Sequence, residues 1–145
     1  MSHFTQAKTK ISNREALVRA LTRKGFRRDQ IELHDTDIEI TDYYGQRRKA
    51  SIILRRNVLG IPSDMGFHKE EDGNYSLIFD DFKYGGKNYG KDWQQSLFQL
   101  ANVETVKIEY ASRGITYEES KDQNGNIILI ADTDEEERDT IKLSI

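Results

Sequence analysis

Apolar residues recur along this chain with two different periods, and each change of period marks the edge of an element. Residues 2–11 alternate weakly, with His3, Thr5, Ala7, Thr9 and Ile11 on one side, which predicts a first strand. Ser12 followed by Glu15 reads as an S-x-x-E capping box, and Ala16, Leu17, Ala20 and Leu21 continue it as a stripe at helical spacing. A helix is therefore predicted over 13–24. Gly25 suits the left-handed residue that closes a helix, and Phe26 just beyond is placed to fold back on Leu21. The period then shortens to two. Ile31 with Leu33, Ile38 with Ile40, and Ala50 with Ile52 and Leu54 read as three short antiparallel strands, parted at His34-Asp35 and Tyr44-Gly45. Beyond an irregular link at 57–64, which holds the only proline, Pro62, residues 66–70 and 75–79 form a hairpin about Asp72-Gly73.

Residues 80–92 read as a loop, and the longest helical pattern follows over 92–113, ending on Gly114-Ile115 in the manner of the first helix. Its stripe takes in Trp93, Leu97, Leu100, Ala101, Ile108 and Ala111, while Val103, Val106 and Tyr110 fall on another face. Glu104 interrupts that stripe. A lone carboxylate is costly to bury, so the pattern favours a bend or restart near Asn102 over a buried Glu104. Residues 116–121 and 126–132 flank Asn124-Gly125, a dipeptide that fits a type I′ hairpin turn. Strand, helix, glycine-hydrophobe and hairpin thus occur twice, a β-α-β-β pseudo-repeat. The expected fold is α+β, one antiparallel sheet carrying both main helices on one face and leaving the other open.

Composition narrows the chemistry. A length of 145 residues suits one domain, read as 1–132, and residues 133–145 read as a solvated acidic tail because in the block of Asp132, Asp134, Glu135, Glu136, Glu137 and Asp139 only Arg138 opposes the acidity. There is no cysteine, hence no disulfide, thiolate nucleophile or Cys-ligated cluster. The longest apolar run, Ile127 to Ala131, is too short for a membrane span, and no apolar segment after Met1 suggests a secretory signal. The net charge of −3 conceals a division, since residues 1–56 carry +6 and the remainder −9.

Gly85 to Lys91 matches G-x-x-x-x-G-K, but Asp92 stands where a phosphate loop needs a magnesium-binding hydroxyl, and a carboxylate there repels phosphates. The segment reads as a surface loop with Asp92 as a helix cap, so no nucleotide or other cofactor is expected. His3, His34 and His68 lack a metal-ligand spacing, His3 with His68 being the one pair that two strands could bring together. Asp35, Asp37, Asp80 and Asp81 are turn-forming carboxylates that nothing in the sequence holds together, and no serine sits in a nucleophile elbow. No catalytic or metal residue is assigned. Two surfaces remain. Phe67, Tyr75, Phe82, Tyr84 and Tyr89 are candidate anchors for a protein partner on the open face of the sheet. Arg27, Arg28, Arg47, Arg48, Lys49, Arg55 and Arg56, beside Phe26, Tyr43 and Tyr44, are the alternative, a basic surface for nucleic acid.

Ser2-His3-Phe4-Thr5, Lys8-Thr9-Lys10-Ile11, Glu15-Ala16-Leu17 with Leu21 and Gly25, Met65-Gly66-Phe67, Asp72-Gly73-Asn74-Tyr75-Ser76-Leu77, Ala111 to Gly114, and Gly125-Asn126-Ile127-Ile128-Leu129 follow one another in an order that resembles the hypothetical chloroplast reading frame thirty-five family. That family occurs in plastids, cyanobacteria and cyanophages and has no assigned function. The resemblance implies a setting, the chloroplast stroma or the cyanobacterial cytoplasm, including the infected cell, and supplies no catalytic residue. Together these readings favour a non-enzymatic protein-interaction or assembly adaptor.

Overall fold

The first helix, α1 (Arg14–Arg23), begins one residue later than its sequence signal suggests. In the computed structural model, which describes residues 4–80, 88–132 and 138–143, its cap is Asn13, whose side-chain oxygen accepts the amide of Ala16 at 3.0 Å. Ser12 is exposed and the capping box is not formed. The helix closes as predicted: Phe26 N–H reaches Leu21 O, Gly25 N–H reaches Thr22 O, and Gly25 has φ +109°. The long helix α3 (Lys91–Ser112) ends the same way, Ile115 N–H on Tyr110 O and Gly114 N–H on Ala111 O. Its cap is Gly90, and Asp92 lies within the first turn, where negative charge meets the positive end of the helix dipole.

Five strands make the main sheet: β1 (Phe4–Lys8), β2 (Glu32–Thr41), β3 (Arg47–Leu54), β4 (Met65–Lys69) and β5 (Tyr75–Asp80), a short helix α2 (Arg56–Leu59) standing between β3 and β4. Their order is β1-β5-β4-β3-β2, antiparallel throughout. The two strands expected on either side of His34-Asp35 are one strand, β2, with a register irregularity between Leu33 and Ile38 in place of a turn. Leu17, Val18, Ala20 and Leu21 of α1 and Leu97 and Ala101 of α3 pack over Ile52, Leu54, Met65, Phe67, Tyr75, Leu77 and Phe79, so both main helices cover one face of this sheet.

The opposite face is not open. Phe4, Ile40, Ala50, Ile53 and Ile78 form a second buried cluster there, because the sheet coils until its edges approach each other. The amide of Phe4 on β1 donates to Asp42 Oδ2 at 3.2 Å beyond the end of β2, and Arg48 of β3 donates to Gln6 of β1 at 3.0 Å. Gly66 permits the curl. A Cβ at that position would stand 2.5 Å from the Cβ of Ala50.

The pseudo-repeat in element order does not become one sheet. The strands β6 (Thr116–Lys121), β7 (Ile127–Asp132) and β8 (Arg138–Leu143) form a separate antiparallel sheet in that order. Where a solvated tail was expected, residues 138–143 pair along β7 from Asp132↔Arg138 to Ile127↔Leu143. This small sheet packs Ile127, Leu129 and Ala131 against Val103 and Tyr110 of α3. The two faces read in the sequence of α3 therefore serve two sheets, and α3 runs unbroken past Asn102. Glu104 is buried, 6% exposed, and paired: Arg23 reaches it at 2.9 Å and Lys107 at 3.2 Å. Arg23 and Lys107 also bind Glu119 on β6. Among the described residues no helix is long and apolar enough to cross a membrane.

Candidate functional site

Strand parity decides the fate of the aromatic candidates. Phe67 and Tyr75 point to the helix-covered face and are buried in the main core, which withdraws both from any partner. Burial pushes the Tyr75 phenol up from its ordinary pKa. Tyr89 is half-buried just ahead of α3, its hydroxyl donating to Leu59 O at 2.9 Å and its ring edge-on to Trp93. Burial raises its pKa as well. Phe82 and Tyr84, with Asp81 and most of the glycine-rich loop, lie outside the described residues.

Among the described residues the large exposed apolar side chains are elsewhere, at Tyr43, Tyr44 and Leu33. Tyr43 and Tyr44 stand 46% and 62% exposed at the tip of the β2–β3 hairpin, rings edge to face with centroids 4.9 Å apart. The turn beneath them is fixed by Asp42, which is fully buried. Its Oδ1 accepts the amides of Tyr44 at 3.0 Å and Gln46 at 2.8 Å, while Oδ2 accepts Phe4 N–H. The carboxylate thus replaces solvent for three backbone donors and ties the tip to β1. Tyr44-Gly45 was the sequence signal for this turn; that the turn would be an exposed aromatic site depended on what covers the other aromatics.

The basic candidates do not gather into one free surface. Arg27 pairs with Asp29, Arg28 with Glu15, Arg47 with Glu39 at 3.5 Å, Arg55 with Glu32 at 2.7 Å, and Arg56 with Asp64 at 3.5 Å. Arg48 binds Gln6, and Lys49 is exposed. Hydrogen bonding by Arg55 is the main cause that holds the Glu32 carboxyl below its ordinary range. Asp64, nearly buried, accepts the amides of Thr41 and Arg56 and returns its own amide to Thr41 O. These bonds close the outer edge of β2 at its end.

A polar cleft of about 610 Å³ opens beside the β4–β5 turn, with Lys8, His68, Glu70, Glu71, Asp72 and Ser76 in its walls. His68 Nδ1 lies 2.6 Å from Asp37, and His68 Nε2 lies 3.9 Å from Glu70. Ser76 is directly opposite His68 in the register, yet its hydroxyl is buried without a hydrogen bond. His34 pairs with Glu32, and Asp35 is exposed. Asp80 is buried on β5. His3 lies outside the described residues, among which no three His, Cys, Asp or Glu side chains converge as a metal site.

A coiled antiparallel sheet with two helices on one face, joined through the longer helix to a second sheet, defines an α+β protein in which, among the described residues, the exposed large aromatic side chains stand at a hairpin tip. The chain belongs to the family described as protein of unknown function (DUF1257), whose model matches residues 17–130. It is 33% identical over 132 residues to the uncharacterized protein ycf35 of Cyanophora paradoxa, which covers 90% of this chain and 95% of that protein. No solved structure matches.

Proposed function

We propose that the protein is a non-enzymatic interaction or assembly adaptor of a photosynthetic cell, or of a virus infecting one, and that it engages a protein partner through the β2–β3 hairpin tip. Its compartment on this reading is the chloroplast stroma or the cyanobacterial cytoplasm. The observation that carries the reading is the tyrosine pair exposed on a turn held by a buried carboxylate. Tyrosine offers large contact area with few rotatable bonds, and a turn that is already ordered loses little further freedom on binding. The alternative, nucleic-acid binding, draws less support because Arg27, Arg28, Arg47, Arg55 and Arg56 all pair with carboxylates of the chain itself. Carboxylates so interspersed leave no continuous positive strip for a phosphate backbone to follow.

The test places a benzophenone amino acid at position 44 in living cells and irradiates. A discrete protein adduct that disappears when the photoreactive group is moved to the helix surface at position 95 is the expected result. Adducts to RNA or DNA alone, or binding of single strands that falls steeply with salt and on charge reversal at Arg47 and Arg48, would transfer the assignment to nucleic acid.

A further inference from the structure

We infer that the partner surface recognised at this tip is an extended acidic protein segment carrying carboxylates on alternate residues, an inference that rests on the protein-binding reading above. The register pairs Thr41 with Arg47 and Glu39 with Lys49, which puts these four side chains on the face opposite Ile38, Ile40, Arg48 and Ala50. Arg56 joins them from α2 by hydrogen-bonding Thr41 through both the carbonyl and the hydroxyl. The charges gathered on this side are Arg47, Lys49, Arg56 and the partly exposed Arg55 against Glu39 and the buried Asp64; Arg55 and Arg56 pair with Asp64, which leaves Arg47 and Lys49 as the exposed cations outside that pairing.

Arg47 is 72% exposed, and its 3.5 Å pairing with Glu39 is a surface ion pair of the kind worth little in water. It can exchange that partner for a carboxylate of another protein at small cost. Positions 47 and 49 are two residues apart on one strand, so their Cα atoms are roughly 6.6 Å apart. An extended segment presents alternate carboxylates at the same interval. The segment cannot simply add as a further strand at this end of β2, because Thr41 N–H and C=O are already taken by Asp64. Recognition must run through side chains: carboxylates on Arg47 and Lys49, and an apolar residue beyond them on the faces of Tyr43 and Tyr44.

The experiment titrates the isotopically labelled full chain with an extended peptide alternating Glu with Val and ending in Trp, then with the same peptide bearing Gln for every Glu, and with single-stranded oligothymidylate of matching length. Amide shifts confined to 41–49 and 55–56 with the Glu peptide, weakened by about tenfold or more with the Gln peptide and by a similar factor in Arg47→Glu and in Tyr44→Ala, are expected. Both substitutions are at exposed positions, and an unchanged melting curve shows that they fold. Equal response to the two peptides, no response at the tip, stronger binding of oligothymidylate, or contact of the tip with a second copy of the chain would overturn the inference. A protein adduct at position 44 together with failure of the Glu peptide would overturn this inference alone and leave the adaptor reading standing.

Discussion

Asn13 and Asp42 solve one problem at two places, the backbone amides that a chain leaves unpaired where it changes direction. At Asn13 the oxygen caps α1, and Asn13→Ala should cost about 1 kcal/mol, whereas Ser12→Ala should leave the denaturation midpoint unmoved. Parallel urea melts of the two variants check the assignment of the cap. Gly66 is a different kind of constraint. Methyl insertion there must push Ala50 or bend β4, because the added carbon would sit 2.5 Å from the Ala50 Cβ. Gly66→Ala should therefore destabilise by about 1–3 kcal/mol, with Ala50→Gly in the same chain restoring part of the loss, a pattern that a double-mutant cycle reads directly. The capping signal was legible as a cluster of short polar residues, but which one capped depended on a one-residue shift in where the chain enters the helix. Gly66 gave no local sign of its role, since its constraint comes from Ala50 on the preceding strand, across the sheet rather than within its own turn of chain.

The elements with strong local signals formed within their expected spans, but the turn at Asn124-Gly125 is not type I′, since only Gly125 has positive φ and Gly125 N–H closes on Asp122 O. Both Gly-hydrophobe endings close their helices, and the hairpins about Gly73 and Gly125 stand within a residue or two of their predicted bounds. The single helix α3 differs from its reading at Glu104. Periodicity places a carboxylate in an apolar stripe and sets its cost, but the compensation comes from Arg23 on α1 and Lys107 one turn along, and only the first is remote. Glu104→Ala should cost roughly 2 kcal/mol, less than a fully buried pair loses because the Arg23 side chain keeps 31% of its exposure. Glu104→Gln should lose part of that, and a thermal melt in which Gln is no better than Ala would show that the hydrogen bonds from Arg23 and Lys107 do not matter. In β2 the opposite error arises: His34-Asp35 has turn-like composition, yet cross-strand pairing with β3 carries the strand past it.

Across the whole molecule, Arg23, Lys107, Glu104 and Glu119 fasten α1, α3 and β6 together, the polar counterpart of the apolar contacts that α3 makes with both sheets. Burial would raise the Glu119 carboxyl, but hydrogen bonds from Arg23 and Lys107 outweigh it and hold the group below its usual 4.5; Arg55 does the same for Glu32. A carboxyl lowered on folding contributes stability above its unfolded pKa and loses it as pH falls through the folded one. The melting temperature should be level from neutral pH down to about 5 and fall below about 4.5, and Glu119→Gln should flatten that fall. An unaltered acid limb in the variant would remove Glu119 from the network's pH response.

By itself the sequence determined the fold class, the two long helices with their endings, and the two tight hairpins, because each rests on side chains and backbone within one turn of each other. It also carried the family resemblance, in the order of motifs along nearly the whole chain. Tertiary structure alone decided which faces were covered. Alternation shows that Phe67 and Tyr75 share a parity with Leu77 but not which parity meets the helices; coiling of the sheet, which fills its second face, follows from contacts such as Phe4 with Asp42 and Gly66 with Ala50. The basic clusters were visible as residues, but not that Arg28, Arg55, Arg47 and Arg56 would stand beside Glu15, Glu32, Glu39 and Asp64, carboxylates that folding brings to them. Among the described aromatic residues, exposure of Tyr43 and Tyr44 is what remained after those coverings, and long-range packing fixes coverings where local pattern cannot.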